Sequence, residues 1–166
     1  YIDGTGGNDI IYGGSDQDEI YAGTGDDTVY GDADTDVMWG GAGNDLLYGG
    51  SGSTTDHFLF ATQGFDPNHG GDSGHDVIAD FVRGQDTLTI VLKIEASFAL
   101  LDSNGNGFLD EDDDHVSVVS RSLDGVAEFS TVINVSGHNG EGSDSITLWG
   151  VVGLVANDVM VGGWED

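Results

Sequence analysis

Residues 4–48 read GTGGNDIIY, GGSDQDEIY, AGTGDDTVY, GDADTDVMW and GGAGNDLLY, five consecutive nine-residue units starting at Gly4, Gly13, Ala22, Gly31 and Gly40. Aspartate holds the sixth place of every unit: Asp9, Asp18, Asp27, Asp36 and Asp45. A sixth unit, GGSGSTTDHFLF from Gly49, carries two extra residues before Asp56. A fixed internal period decides architecture before composition does. Each unit divides into a six-residue turn rich in Gly and Asp and a three-residue strand whose middle residue is apolar: Ile11, Ile20, Val29, Met38, Leu47. Period-two alternation turns that residue to the face opposite its neighbours, so the column forms the expected core. Two units close one coil, and units two apart become parallel neighbours about 4.8 Å away. The expected stacked pairs are units 1 on 3, 2 on 4, 3 on 5 and 4 on 6. A flexible Gly/Asp linker would not keep an apolar column in register.

Stacked acidic turns need a counter-charge, and the chain does not supply it. Of 166 residues, 31 are acidic and 3 basic, a net charge of −28, and Arg83, Lys93 and Arg121 all follow position 82. A hard cation with six to eight oxygen ligands, partly carbonyl and partly carboxylate, resolves the repulsion; calcium suits such a mixed site, and magnesium's strict octahedron suits it less. The glycines permit φ > 0 and let carbonyls approach an ion, while the aspartates bring formal charge. The candidate ligand-bearing positions are Gly4, Gly6, Asn8 and Asp9; Gly13, Ser15, Asp16 and Asp18; Ala22, Thr24, Asp26 and Asp27; Gly31, Ala33, Asp34 and Asp36; Gly40, Ala42, Asn44 and Asp45; and Gly49, Ser51 and Asp56. Filling every stacked pair gives about four calcium ions in the roll. The acid and glycine content favours disorder, yet 37% of residues are hydrophobic and periodic; disorder without cation and order with it reconciles the two. The same charge repels phosphate backbones and anionic lipid, which argues against nucleic-acid binding and direct membrane insertion. No apolar run approaches the ~20 residues of a membrane span, and the N-terminus is not of signal-peptide type.

These units resemble the RTX calcium-binding nonapeptide G-G-x-G-x-D-x-U-x. The resemblance implies an all-β fold, a parallel β-roll that binds calcium. Units 2 and 4 depart from the pattern, with Asp16 and Asp34 in place of the fourth glycine and Asp32 at the second position. Both stack on one side, so the ion there is expected to be held differently, tighter through charge or weaker through backbone strain. The ninth position is aromatic in every regular unit, Tyr12, Tyr30 and Tyr48 on one sheet and Tyr21 and Trp39 on the other, all pointing outward. Cross-strand stacking explains them more simply than a carbohydrate-binding ladder.

Residues 76–90, DVIADFVRGQDTLTI, follow a loop over 63–75 and resemble D-x-I-x-D-F-x-x-G-x-D-x-I, the segment after the nonapeptides in serralysin-type C-terminal domains and related modules, so that the C-terminal region resembles serralysin-type and alginate-epimerase-type β-roll domains. That resemblance implies two strands continuing or capping the roll, with Ile78 and Phe81 buried and Asp76 closing a further calcium site; Asp66 and Asp72 are weaker candidates. GDSGH (71–75) is not a serine-protease motif, because its serine sits in a Gly-rich loop with the wrong flanks. The five histidines show no zinc spacing. Residues 94–101 carry apolar residues at helical spacing and run into an EF-hand-like loop, with Asp102, Asn104, Asn106, the Phe108 carbonyl, Asp110 and Asp113 at ligand positions. Asp rather than Glu at the last position predicts weak affinity, and a single loop argues against a sensor. Residues beyond Ser117 are β-like, and their ending is similar to the last strand and turn of RTX C-terminal domains. There Asp158-Val159-Met160-Val161 resembles an uncleaved secretion signal, although the trailing GGWED departs from that pattern.

The expected organisation is therefore a calcium-binding β-roll over 1–60, and a β-rich capping region over 61–166 with an EF-hand-like insertion at 94–115, packed as one domain. The expected role is a non-enzymatic calcium-binding and secretion module that folds on calcium after export, extracellular by a type I pathway and attached to an upstream domain. The alternatives are a carbohydrate or surface-adhesion module, with polysaccharide as partner, and a non-catalytic part of a secreted metalloprotease or polysaccharide-modifying enzyme. No cysteine is present, so the ion is the expected staple.

Overall fold

The computed structural model describes residues 1–61, 74–92, 108–109, 116–123, 126–134, 145–148, 151, 154–155 and 157–163. Among them there is no helix, and the described strands form two large sheets and one two-stranded sheet. The first has six parallel strands in the spatial order β1 (Ile2–Asp3), β3 (Glu19–Thr24), β5 (Val37–Ala42), β7 (His57–Ala61), β9 (Thr87–Leu92) and β15 (Val159–Gly163). The second has seven, β2 (Ile10–Gly14), β4 (Thr28–Asp32), β6 (Leu46–Tyr48), β8 (His75–Ile78), β13 (Ser145–Leu148), β12 (Val126–Asn134) and β11 (Val116–Leu123). It is parallel as far as β13 and antiparallel through β12 and β11. A separate antiparallel pair joins β10 (Phe108–Leu109) to β14 (Leu154–Val155). This is a parallel β-roll, and its stacked pairs are those expected: units 1 on 3, 3 on 5, 2 on 4 and 4 on 6.

The apolar column runs further than the repeats. On one sheet Ile11, Val29, Leu47, Ile78 and Leu148 face one another in register. On the other the column is Ile2, Ile20, Met38, Phe58, Leu88 and Val159. From Val29 and Ile20 onward these side chains are essentially inaccessible, each contributing roughly 1.5–3 kcal/mol of transfer free energy. The regular coil is eighteen residues, but Leu47 and Ile78 are paired across 31. Strand pairing and burial therefore hold the register even where the intervening chain is longer, since a one-residue slip would turn the whole column to solvent.

The 76–90 segment behaves as its resemblance implies. It forms β8 and β9, Ile78 is fully buried and Phe81 nearly so, and Phe81 packs on Phe58 with ring centroids 6.1 Å apart. The loop expected over 63–75 is shorter at its end, because β8 starts at His75 and Gly74 already has the left-handed φ of +115° seen in repeat turns. Asp66, Asp72, the 94–101 segment and Asp102, Asn104, Asn106, Asp110 and Asp113 of the EF-hand-like loop lie outside the described residues. Phe108 is described as part of β10, opposite Val155.

The outward aromatics form stacks. Tyr12 and Tyr30 are 4.9 Å apart and Tyr30 and Tyr48 4.8 Å, while Tyr21 and Trp39 are 4.3 Å apart, all within 9° of parallel. The faces of these rings are turned to one another along each sheet, so strand spacing explains the arrangement.

Candidate metal centre

The turns between strands are shaped by residues two and four of each unit, which adopt positive φ. Gly7, Gly14, Gly23, Gly25, Gly41, Gly43, Gly50 and Gly52 do so at no steric cost, whereas Thr5, Asp16, Asp32 and Asp34 do so at φ of 70°, 76°, 73° and 72°. Close approach explains why glycine dominates. A Cβ on Gly41 would run into the Gly23 carbonyl, and one on Gly43 into the Gly25 carbonyl. Ala33 N–H donates to the Gly14 carbonyl at 3.0 Å, keeping turn 4 on turn 2 despite the aspartates.

The sixth-position aspartates form two ladders along the roll. In the first, Asp27 Oδ1 accepts the Asp9 N–H at 2.7 Å, Asp45 Oδ1 that of Asp27 at 2.8 Å, and Asp76 Oδ1 that of Asp45 at 2.9 Å. In the second, Asp36, Asp56 and Asp86 accept from Asp18, Asp36 and Asp56 at 2.9, 3.1 and 3.1 Å. One oxygen of each accepting carboxylate, from Asp27 and Asp36 onward, is thus committed to the neighbouring coil. The other points into its own turn: Oδ2 of Asp36, Asp45 and Asp56 lies where a Cβ on Gly31, Gly40 or Gly49 would be, which is why those first positions are glycine.

Those inward oxygens are the decisive feature. Oδ2 of Asp9, Asp18, Asp27, Asp36 and Asp45 is buried with no hydrogen-bond partner, which for a charged acceptor carries a large desolvation penalty unless a cation meets it. Burial, reinforced by Asp56, Asp18 and Asp34 against a lowering hydrogen bond from the Asp18 amide, pushes Asp36 up to about 6. Burial likewise pushes Asp45 up to about 6, with Asp27 and Asp26 adding repulsion. Burial raises Asp27, Asp56, Asp80 and Asp86 as well. An isolated buried carboxylate would rather take a proton than stay charged; a hard divalent ion removes that conflict, so the residues fit calcium.

Other expected ligand positions are placed differently. Asn8, Asp26 and Asn44 are exposed and form a third ladder: Asn8 Oδ1 accepts the Asp26 N–H at 3.0 Å, Asp26 Oδ1 accepts the backbone and side-chain amides of Asn44 at 2.9 and 3.0 Å, and Asn44 Oδ1 accepts the His75 N–H at 3.0 Å. The Asn44 amides hold Asp26 below its usual carboxylate range. These positions would reach an ion through their carbonyls. The carbonyls of Thr24 and Ala42 each accept one N–H, from Gly7 and Gly25 at 2.7 Å, leaving a lone pair for an ion. Among the described residues no three His, Asp or Glu side chains converge on one point, in keeping with a site built from carbonyls and one carboxylate per turn. Gly4, Gly6, Ser15, Ala33, Gly49 and Ser51 lie between the named strands, whereas Gly13 falls in β2 and Ala22 in β3, because strand pairing continues into the first positions of the expected six-residue turn.

Three aspartates belonging to this system are not evident from the repeat alone. Asp80 accepts the Gly49 and Gly50 amides at 2.8 and 2.9 Å. Asp86 extends the second ladder, and its Oδ2 accepts the Val82 N–H at 2.7 Å. Asp158 accepts the Gly84 N–H at 2.8 Å and the Val155 N–H at 3.0 Å, with Arg83 Nε at 3.5 Å. A signal for the resumed register does exist: GDSGHDVIA (71–79) fits the nonapeptide except for Asp at its second place. His75 Nδ1 lies 2.9 Å from Ser145 Oγ on β13.

Residues 1–29 and 21–55 match the family model of the RTX calcium-binding nonapeptide repeat, which covers four copies. No curated protein matches the chain. Among solved structures, the solution structure of the AlgE6R3 subunit from the Azotobacter vinelandii mannuronan C5-epimerase is 22% identical, covering 93% of this chain and 80% of that one at a TM-score of 0.32.

Proposed function

We propose, from the premise that residues 1–55 belong to the RTX calcium-binding nonapeptide-repeat family, that this chain is a structural module that folds when calcium fills its turns. The observation that carries the reading is the row of buried, unpartnered Oδ2 atoms on Asp9, Asp18, Asp27, Asp36 and Asp45. At low calcium these carboxylates oppose the roll; at higher calcium they hold it. Extracellular sites of this kind have Kd values of ~10⁻⁴ to 10⁻³ M. At ten times Kd each independent site adds ~1.4 kcal/mol, so four sites add roughly 6 kcal/mol, comparable to the whole stability of a small domain. The stacked turns support about four ions, and Asp76 with Asp45 supports a further one; the loop at 102–113 is a separate, weaker candidate.

Such a switch suits a protein exported unfolded from a calcium-poor cytoplasm and folded outside, by a type I route, with the module serving an upstream domain and having no catalytic role of its own. The 1–60 and 61–166 regions act as one folding unit, supported by sheets that contain strands of both. A polysaccharide-binding role has less support, because the aromatic faces are spent on one another; of the ring stacks, only Tyr12, 62% exposed, stands at an open end on its sheet. The test is a calcium titration followed by far-UV circular dichroism, with magnesium as control. A cooperative coil-to-β transition driven by calcium alone supports the proposal, and a chain fully folded in chelator removes it.

A further inference from the structure

The two sides of the roll carry different charge at their rims. Turns 2 and 4 together bring five carboxylates to one stacked pair, Asp16, Asp18, Asp32, Asp34 and Asp36, whereas turns 1 and 3 bring three, Asp9, Asp26 and Asp27. Of those three, Asp26 is bonded to both amides of Asn44. On the other side Asp16, Asp32 and Asp34 are exposed and hold left-handed φ. Asp32 and Asp34 belong to the turn whose own aspartate, Asp36, is fully buried with an unpartnered Oδ2 aimed inward against Gly31, and Asp16 belongs to the turn on which it stacks. Turn 4 stays in register on turn 2, with Gly14 opposite Asp32, so the strained aspartates have not displaced the backbone.

We propose that Asp16, Asp32 and Asp34 set the charge selectivity of the cation site between turns 2 and 4, making it favour a trivalent ion over calcium more strongly than the opposite side does. The inference rests on the calcium reading above. Asp16, Asp32 and Asp34 are exposed at the rim, and the selectivity proposed is that of their charge acting through space. Coulomb energy scales with the product of the charges, so a trivalent ion gains half as much again as a divalent one from the same carboxylates. The effect acts within a Debye length, about 10 Å at 0.1 M salt, and fades as salt rises.

Glycine gives a clean test, because the equivalent positions Gly7, Gly25, Gly43 and Gly52, and Gly23, Gly41 and Gly50, already hold positive φ. The D16G/D32G/D34G chain keeps the turn and loses the charge. Terbium and calcium are titrated in competition, at about 20 and 200 mM salt, reading terbium luminescence sensitised by the aromatic stacks. The expected result is a roughly tenfold loss of terbium-over-calcium preference at the tightest site and a weaker salt dependence. A purely structural role would instead ease folding and leave the preference unchanged, and that outcome overturns the proposal. D16N/D34N repeats the test if the glycine chain does not fold. If the unsubstituted chain takes up neither ion, the calcium reading itself fails.

Discussion

The repeat turns and the cap turns use the same aspartate in the same ladder but satisfy it differently. In turns 3 to 5 one oxygen of Asp27, Asp36 and Asp45 ties to the neighbouring coil, and in turns 1 to 5 the other oxygen is left buried without a hydrogen-bond partner. In the cap the second oxygen of the ladder aspartate is met from within, Asp86 Oδ2 taking the Val82 amide, and Asp158, which stands outside the ladder, takes the Gly84 and Val155 amides with Arg83 beside it. Asp80 meanwhile satisfies two turn amides directly. A row of carboxylates therefore calls for a cation only where the backbone does not turn tightly enough to supply an N–H. Under the proposed function the roll depends on calcium along its repeats, while its end is satisfied from within the chain.

Substitutions can break that contrast, beginning with the largest expected effect. Gly43→Ala places a Cβ into the Gly25 carbonyl at a φ of +143°, and should destabilise the calcium-bound roll by roughly 3 kcal/mol or more. Gly84 in the cap has a φ of +74° and open space around its Cβ position, so Gly84→Ala should lose only about 1–2 kcal/mol; thermal unfolding in calcium compares the pair. Asp86→Ala strands the Val82 and Asp56 amides, a loss of about 2–4 kcal/mol. That loss should be much the same at one and at ten millimolar calcium, whereas the loss from Asp36→Ala should grow with calcium.

Protons should imitate calcium in the repeats. Asp36 and Asp45, raised to about 6 in the metal-free fold, bind more protons folded than unfolded between about pH 4 and 6, so metal-free stability rises as pH falls through that window. Above it the penalty of the charged form is fully present. Calcium must displace those protons, so its folding midpoint should rise roughly tenfold between pH 7 and 5. A midpoint independent of pH would mean that these carboxylates are not the ones the ion meets. The smallest effect is expected at the ring stacks, where Tyr30→Ala should lose about 0.5–1 kcal/mol.

Much of this contrast was legible in the sequence, for reasons that can be named. Asp at every ninth place fixed the coil, its stacked pairs and the column from Ile11 to Leu47, because pairing and burial both repeat with that period. The resemblance of 76–90 located Ile78 and Phe81, but not what Asp80 and Asp86 bond to, since their partners lie 31 and 30 residues back at Gly49 and Asp56. The extra chain before Gly74 hid the resumed nonapeptide. Asp158 was visible only as part of a terminal motif, and its place beside Thr87, within reach of the Gly84 amide, depends on strand pairing between β15 and β9. The Asn8–Asp26–Asn44 ladder was hidden because those side chains look like ligands and serve as acceptors for the next coil's amides.

The most direct test is amide hydrogen exchange in chelator and in saturating calcium, followed at the Asp27, Asp36 and Asp45 amides and at those of Val82 and Gly84. The account predicts that calcium raises protection of the three repeat amides by at least about a hundredfold, and that of the two cap amides by less. Equal protection of the repeat amides in chelator and in calcium would contradict it, because buried carboxylates without a cation would then be holding the roll unaided.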